Sequence, residues 1–475
     1  MMNSNDQILV VGGGLTGLMS SIAIKKRFPK RDITLIERTD QLGGMYNSII
    51  YSDDICFDYG MHVIYESCNP EIDDLYREVM PESEWNIYKE NRKDIAGLFF
   101  NGKLQTFSHY IDLRTLPLST RKRLIGSLMS NLNSDLAYQP LTAMEFLRSQ
   151  FGEEITEEFH KPILKMMYGV NPESLDIFAT KATAFERVIL FDKPIMLDLM
   201  GSELLRSRLG FPDQLTLPPL RKNSQAALYP KKFGMHNFIK KLSSYAESHG
   251  IKILRETTIS DIEINNKKIQ NISLESKGQK SSNVPVSHLV WTTGWPALAK
   301  LLKVNTTDIH IEQGPEMVFV NLIFDRAPRM DDLYYFYCYD NDYASFRITN
   351  YSNYCPASCD GNKFPICVEL WPSKIGKKKS ELDELNFIQI AIDELKRFGV
   401  IDNDYQLLFS AVEKEVGEFP MPTINNTSAL HTIRNRVNDI EIQNMSISGI
   451  MAEDGLFFIP DILNDAFSKL NRINI

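Results

Sequence analysis

The run QILVVGGG, starting at Gln7, is apolar and β-branched until it stops at glycines. LTGLMSSIAIKKRF then spaces its apolar residues for a helix, and DITLIER returns to a strand. This pattern predicts a βαβ unit at the start of a parallel sheet. From about 110 to 210 the period turns helical, in TLPLSTRKRLIGSLMSNL and in LTAMEFLRSQFGEEITEEFHKPILKMMYGV, where Thr142 and Glu145 are placed as a capping box. This stretch is expected to be a helical insertion packed over a sheet. HNFIKKLSSYAESHG predicts an amphipathic helix ending at Gly250, followed by strands with a turn at Asn265-Asn266 and by the buried strand HLVWTTG. Alternation in MVFVNLIF, DLYYFYCY, YASFRITNY and FPICVELWP predicts an antiparallel sheet between about 310 and 425. MSISGI reads as a last strand and DILNDAFSKLNRI as a closing helix.

Composition narrows the class without changing this outline. The chain has 475 residues, enough for more than one core, with 43% hydrophobic and 24% charged residues. Its formal charge of −9 argues against a broad nucleic-acid surface but allows a local basic pocket for an anionic substrate. MMNSNDQ lacks the basic and apolar segments of a signal peptide, and no apolar run approaches the roughly 20 residues that span a bilayer. A soluble, cytoplasmic protein with no transmembrane segment is expected. The cysteines at 56, 68, 338, 355, 359 and 367 show neither metal-ligand spacing nor disulfide density, so free thiols and no metal site are expected.

Chemistry enters at the first turn. Gly12, Gly14 and Gly17 make G-x-G-x-x-G: the first allows the tight bend, the second the approach of a pyrophosphate, and the third close helix–strand packing. The helix that follows offers free N–H groups and a partial positive charge. Glu37 ends the second strand roughly twenty residues beyond Gly17, where a carboxylate meets ribose hydroxyls. The context of strand before, helix after and acid beyond predicts a dinucleotide site.

The residues after Glu37 carry a resemblance. Arg38 and then Gly43-Gly44 in ERTDQLGGMYNS resemble the second glycine patch of the flavoprotein superfamily that includes amine oxidases, protoporphyrinogen oxidase and UDP-galactopyranose mutase. FDYGMHVIYES resembles that family's segment at the isoalloxazine ring. LFFNGKLQTF, ALYPKKFGMHNFIKKL, ETTISDIEINNKKI, HLVWTTGWPALAKLL and SGIMAEDGLFFIPDILNDAF resemble further family segments in the same order, so the likeness spans nearly the whole chain. It implies an α/β fold: a Rossmann-like FAD-binding domain of the GR2 type, with an inserted helical region and an antiparallel-sheet substrate domain. The implied boundaries are 1–100, 226–305 and 426–475 for the FAD-binding part, 101–225 for the helical lid and 306–425 for the substrate-side sheet. Carried over residue by residue, the resemblance puts Leu15, Thr16, Arg38, Gly43, Gly44, Met45, Gly60, Met61 and His62 at a non-covalently bound FAD. Ile259, Thr292, Gly449, Glu453 and Phe458 join them from later segments.

The mutase-like sub-branch matches most closely. It implies that His62 sits at the flavin as the catalytic candidate, and that Arg187 and Arg347 bind substrate, their planar forks suited to a diphosphate. Taken alone, Arg187 also fits a solvated helix charge and Arg347 a cross-strand ion pair. The mutase pattern is broken at Gly449-Ile450, at Leu456-Phe457 where tyrosines are expected, and at Met167-Tyr168-Gly169 where a tryptophan would precede the glycine. The first reading is therefore an FAD-dependent oxidoreductase of the amine-oxidase and protoporphyrinogen-oxidase type acting on a small molecule. The alternative is a non-redox nucleotide-sugar mutase. With no second glycine motif in the chain, an NAD(P)H donor would dock directly at the flavin. Trp295 could cover the cofactor or fill the core, and Glu453 and Asp454 are acids without an assigned role.

Overall fold

The computed structural model describes residues 7–133, 139–181, 183–222, 224–278, 281–359, 361–375, 383–415 and 420–473. They fall into two compact units, one drawn from Met1–Ile87, Ala227–His310 and Ser428–Ile475, the other from Tyr88–Ala226 and Ile311–Thr427.

The first unit is built on strand β1 (Gln7–Val11), helix α1 (Leu15–Arg27), strand β2 (Asp32–Ile36) and the hairpin β3 (Ser48–Ser52) and β4 (Ile55–Asp58). Later segments add α2 (His236–Ser248), β5 (Ile251–Leu254), β6 (His288–Trp291), β7 (Met445–Ile447) and α3 (Ile459–Leu470). The sheet order is β5-β2-β1-β6-β7, parallel throughout. Ile8, Leu9 and Val10 are wholly buried, as expected of a central parallel strand covered on both faces. Helix α1 buries Leu18, Met19, Ile22 and Ile24 against this sheet. The predicted βαβ unit, the helix ending before Gly250 and the last strand and helix are all present. The predicted turn moves by one residue: Asn266 and Lys267, both at positive φ, link Thr257–Asn265 to Lys268–Ser276. Two consecutive left-handed residues match the right-handed twist of a hairpin.

The second unit holds a seven-stranded sheet with the predicted antiparallel strands Met317–Phe324, Tyr335–Cys338, Ser345–Asn350 and Phe364–Leu370. Ala96–Phe100, expected within the first FAD-binding segment, instead pairs in parallel with Tyr335–Cys338 of this sheet. Helices Leu118–Ser130, Ala143–Phe151 and Lys161–Tyr168 share one core with Leu98, Phe346 and Trp371 of this sheet. The capping box at Thr142 and Glu145 is formed. The long helical run is broken at Gly152, φ +83, where an added Cβ would lie 2.7 Å from Ser127 Oγ on the crossing helix. Among the described residues no helix is long and apolar enough to cross a membrane.

A π-helical turn at Thr156–His160 buries the His160 ring between Phe151 and Phe185, with neither ring nitrogen hydrogen-bonded. Burial drives its pKa down to about 3, against about 6.5 in an unfolded chain. Between those values the unfolded state binds the proton, so stability falls as pH drops below about 6.5, by up to about 1.4 kcal/mol per unit. His160→Phe is expected to flatten this acid limb in denaturant titrations run from pH 7 to pH 4. An unchanged slope would remove His160 as its source.

Candidate functional site

The site lies where β1, β2, β6 and β7 end, at the carboxyl edge of a parallel sheet. Gly12 leaves β1 at φ +104, and a Cβ there would lie 2.4 Å from Thr292 Oγ1. A Cβ on Gly17 would meet the Gly12 carbonyl oxygen at 1.9 Å, so helix and turn touch through backbone alone. Gly13, outside the motif, is equally constrained: its Cβ would meet Leu42 at 2.5 Å and Glu37 at 2.9 Å. Gly14 is different. It caps α1 without a side-chain hydrogen bond, at φ −68, and its Cβ direction is open, with nothing within 4 Å.

The second glycine patch closes the other side. Gly43 bridges to Gly14, its N–H donates to Gly13 O at 2.8 Å, and the Cβ direction of Gly44 meets only Gly14 Cα, at 3.7 Å. Two backbone loops thus border a trough that side chains do not fill, floored by the first-turn amides of Leu15, Thr16 and Gly17. No acidic side chain occupies that turn. Such amides lack intrahelical acceptors, so the trough suits a pyrophosphate.

Glu37 stands at its rim. Oε2 accepts the Gly13 N–H at 2.7 Å, and Oε1 accepts the Thr39 N–H at 2.8 Å and the Thr39 hydroxyl at 2.9 Å. The Thr257 N–H donates to Glu37 O, which brings the strand carrying Ile259 to the end of β2. Arg38 and Met45 are exposed beside these loops.

Gly60, at φ +72, opens the Met61-His62 segment. Met61 is buried, and the His62 ring sits edge-on to Tyr46, 5.3 Å between centroids, so the second glycine patch and the histidine are brought together. The strand end just before Gly60 carries a cluster whose pairing no spacing along the chain announces. Wholly buried Asp58 accepts the Ser48 hydroxyl at 2.6 Å, the Tyr229 hydroxyl at 2.6 Å and the Met235 N–H at 2.9 Å. Burial pushes the Asp58 carboxyl up, against these hydrogen bonds, which favour the anion.

The later segments divide. Thr292 donates its hydroxyl to Val11 O at 2.7 Å, and a Cβ on Gly449, φ +111, would lie 2.9 Å from Thr292 O, so these two hold the strand ends together. Trp295 is core, its Nε1 donating to Ala452 O at 3.1 Å. Glu453 binds Lys469 at 2.9 Å, and Asp454 binds His431 at 2.8 Å and Arg434 at 3.0 Å, all in a half-exposed ion network. Among the described residues Glu453 is partnered by Lys469 and Arg434, not by the glycine turn. Phe458 is 46% exposed and packs on Phe457.

In the second unit the two arginines differ. Arg347 forks onto Glu369, Nε to Oε1 at 2.5 Å and Nη2 to Oε2 at 2.9 Å, across adjacent strands. Burial works against its charge, but Glu369 and Tyr337 hold its pKa above the ordinary value. The cross-strand pair is therefore what the structure realises at Arg347. Removing one partner strands a buried charge: Glu369→Gln is expected to cost about 3–5 kcal/mol in chemical denaturation, whereas joint replacement by methionines is expected to be near neutral. Arg187 donates to the Tyr110 hydroxyl at 2.7 Å and to Glu186 at 3.1 Å.

Comparison with known proteins agrees with this geometry. Residues 10–79, from the end of β1 through the glycine turn, α1, β2, the second glycine patch and the Met61-His62 segment, match the NAD(P)-binding Rossmann-like domain. The whole fold is that of a set of solved oxidases and a mutase. A crystal structure of reduced UDP-galactopyranose mutase superposes with TM-score 0.68 at 17% identity, over 92% of this chain and 88% of the other. A protein from Exiguobacterium sp. 255-15 assigned as a protoporphyrinogen oxidase gives 0.66 at 17% identity over 98% of both chains. Among curated proteins, coproporphyrinogen III oxidase of Staphylococcus aureus is 21% identical over 276 residues, so the match spans about half (54%) of each chain.

Proposed function

We propose that the protein is an FAD-dependent oxidoreductase of the amine-oxidase and protoporphyrinogen-oxidase type, with a non-covalently held flavin and a small-molecule substrate. The trough between Gly14 and Gly43-Gly44, over an uncapped helix start, carries this reading. There the amides of Leu15, Thr16 and Gly17 would bind the pyrophosphate. Glu37 would take a ribose hydroxyl on the lone-pair site of Oε2 that Gly13 leaves free. Met61 and His62 would flank the ring system, with His62 the group able to hold a proton there. Bound flavin supplies hydride and one-electron chemistry.

The curated relative and the Exiguobacterium protein are both named as oxidases, which supports oxidation over isomerisation. The nucleotide-sugar mutase reading asks for two arginines free for one diphosphate, and Arg347 spends its fork on Glu369. The two readings part on one experiment. Anaerobic addition of amines and porphyrinogens to the oxidised protein is expected to bleach the flavin band without another reductant, and later admission of dioxygen, NAD(P)+ or another acceptor is expected to restore it. A flavin that stays oxidised with every donor, yet interconverts nucleotide sugars after dithionite reduction, would reverse the assignment.

A further inference from the structure

The second unit gathers positive charge without an equal counter-charge. Val188 pairs in parallel with Ile111, so Arg187 and Tyr110, the residues just before them, stand side by side, and Val188 also bridges to Leu209. Arg187 Nη1 reaches the Tyr110 hydroxyl at 2.7 Å, and its Nε donates to Arg206 O at 3.4 Å. Arg221 comes in from the other side: its Nη2 donates to Leu209 O, while its buried Nε has no partner. Gly210 keeps the Tyr110 ring close, since a Cβ there would lie 2.8 Å from it. Among the described residues the carboxylate paired with this group is Glu186, 3.1 Å from Arg187, with a side chain 65% exposed. Arg206 Nη1 is satisfied by Met200 O at 2.7 Å, a neutral acceptor.

Burial and the charges of Arg187 and Arg206 push the Arg221 guanidinium down to about 10. Burial and the charge of Arg187 drive His109, whose ring lies tilted against Tyr110, down to about 4, so its ring is neutral at pH 7 and its buried Nδ1 has no partner. Clustered guanidinium groups repel, and a buried donor is costly to leave without an acceptor. A bound oxyanion would relieve both terms, through the paired bonds that arginine forks make.

We propose that Arg187, Arg206 and Arg221, with Tyr110 and His109, form an oxyanion site on the second unit that takes the phosphate or carboxylate group of a small molecule. It lies entirely within that unit and does not depend on the flavin reading.

Calorimetry on the full-length protein at fixed ionic strength tests it, with inorganic pyrophosphate and succinate as probes for the two anion sources. At least one is expected to bind. Arg187→Gln and Arg221→Gln are each expected to weaken it at least about tenfold, the loss of a charged hydrogen-bonded pair. In chloride buffer, with no anion to hold, Arg221→Gln is expected to melt no lower than the wild type, because a repelling charge has gone. Gly14→Val, which blocks the glycine trough, is expected to leave the affinity intact. Binding of neither probe would overturn the proposal, as would affinity undiminished in both arginine variants. Affinity lost in Gly14→Val but kept in Arg221→Gln would also overturn it, by placing the anion at the glycine turn and leaving the flavin reading untouched.

Discussion

Gly14→Val is expected to fold with near-normal stability and to lose flavin binding by about 100-fold or more, equivalent to about 2.8 kcal/mol. The two halves of this expectation have separate causes. Gly14 sits at φ −68, ψ 177, a conformation open to any residue, and nothing lies within 4 Å of its missing Cβ. Removing a glycine's freedom in the unfolded chain even favours folding slightly, by roughly 0.4–1 kcal/mol where no strain arises. The branched side chain would instead occupy the space bordered by Gly43 and Gly44, where a pyrophosphate must touch the amides of α1. Gly17→Ala makes the opposite case: its Cβ would collide with Gly12 O at 1.9 Å, so it is expected to lose fold and binding together. Thermal melts and flavin titration on both variants separate them. Normal flavin affinity in a folded Gly14→Val protein would show that the trough is not the cofactor site.

The second large effect is expected at Asp58. Asp58→Ala removes the acceptor of three buried donors, those of Ser48, Tyr229 and Met235, and is expected to cost about 3–5 kcal/mol. In a unit of this size that lowers the melting temperature by roughly 10 °C. Tyr229→Phe takes away one bond and leaves the Gly234 N–H without its acceptor, so about 1–3 kcal/mol is expected. The pH dependence has its own sign. Because burial raises the folded-state pKa of Asp58, the folded chain keeps this proton where the unfolded chain has lost it. The contribution is full in acid and declines as pH rises through the folded value. Asp58→Asn, which cannot titrate, is expected to abolish that decline. The same network fixes the β4 end that leads into Gly60, Met61 and His62, so loosening it is expected to disturb the His62–Tyr46 contact as well. If Asp58→Ala melts like the wild type, this anchoring role is wrong.

The parts of the site that the sequence announced are those whose partners are close along the chain or are set by strand ends. Gly12 and Gly17 constrain each other within a single turn, Gly14 starts the helix between them, and Glu37 ends the strand paired with β1, so spacing alone places them. Gly13 could have been read from the same turn: its Cβ direction points at Glu37, and G-G-G leaves no room there for a side chain. The bond between Asp58 and Tyr229 could not: each lies in a segment with a family likeness, but they are 171 positions apart in sequence and no spacing or period pairs them. Arg347 shows a different limit. Its fork suits a diphosphate and a carboxylate equally, and only the register that sets it opposite Glu369 decides between them. Thr292 likewise matches a family position, yet its hydroxyl is given to Val11. The fold was legible because two periods, strand in the first unit and helix then alternating strand in the second, run long enough to be read. The break at Gly152 and the π turn after it come from a helix crossing, which no local pattern records.

The central claim is that the backbone trough at Gly14, Gly43 and Gly44 holds FAD without a covalent bond. Its most direct measurement is the flavin content of the purified full-length protein, before and after incubation with excess FAD, followed by heat denaturation and filtration. A yellow protein carrying one FAD per chain is expected, with all of the flavin passing the filter after denaturation. Protein that stays colourless and takes up no FAD would contradict it.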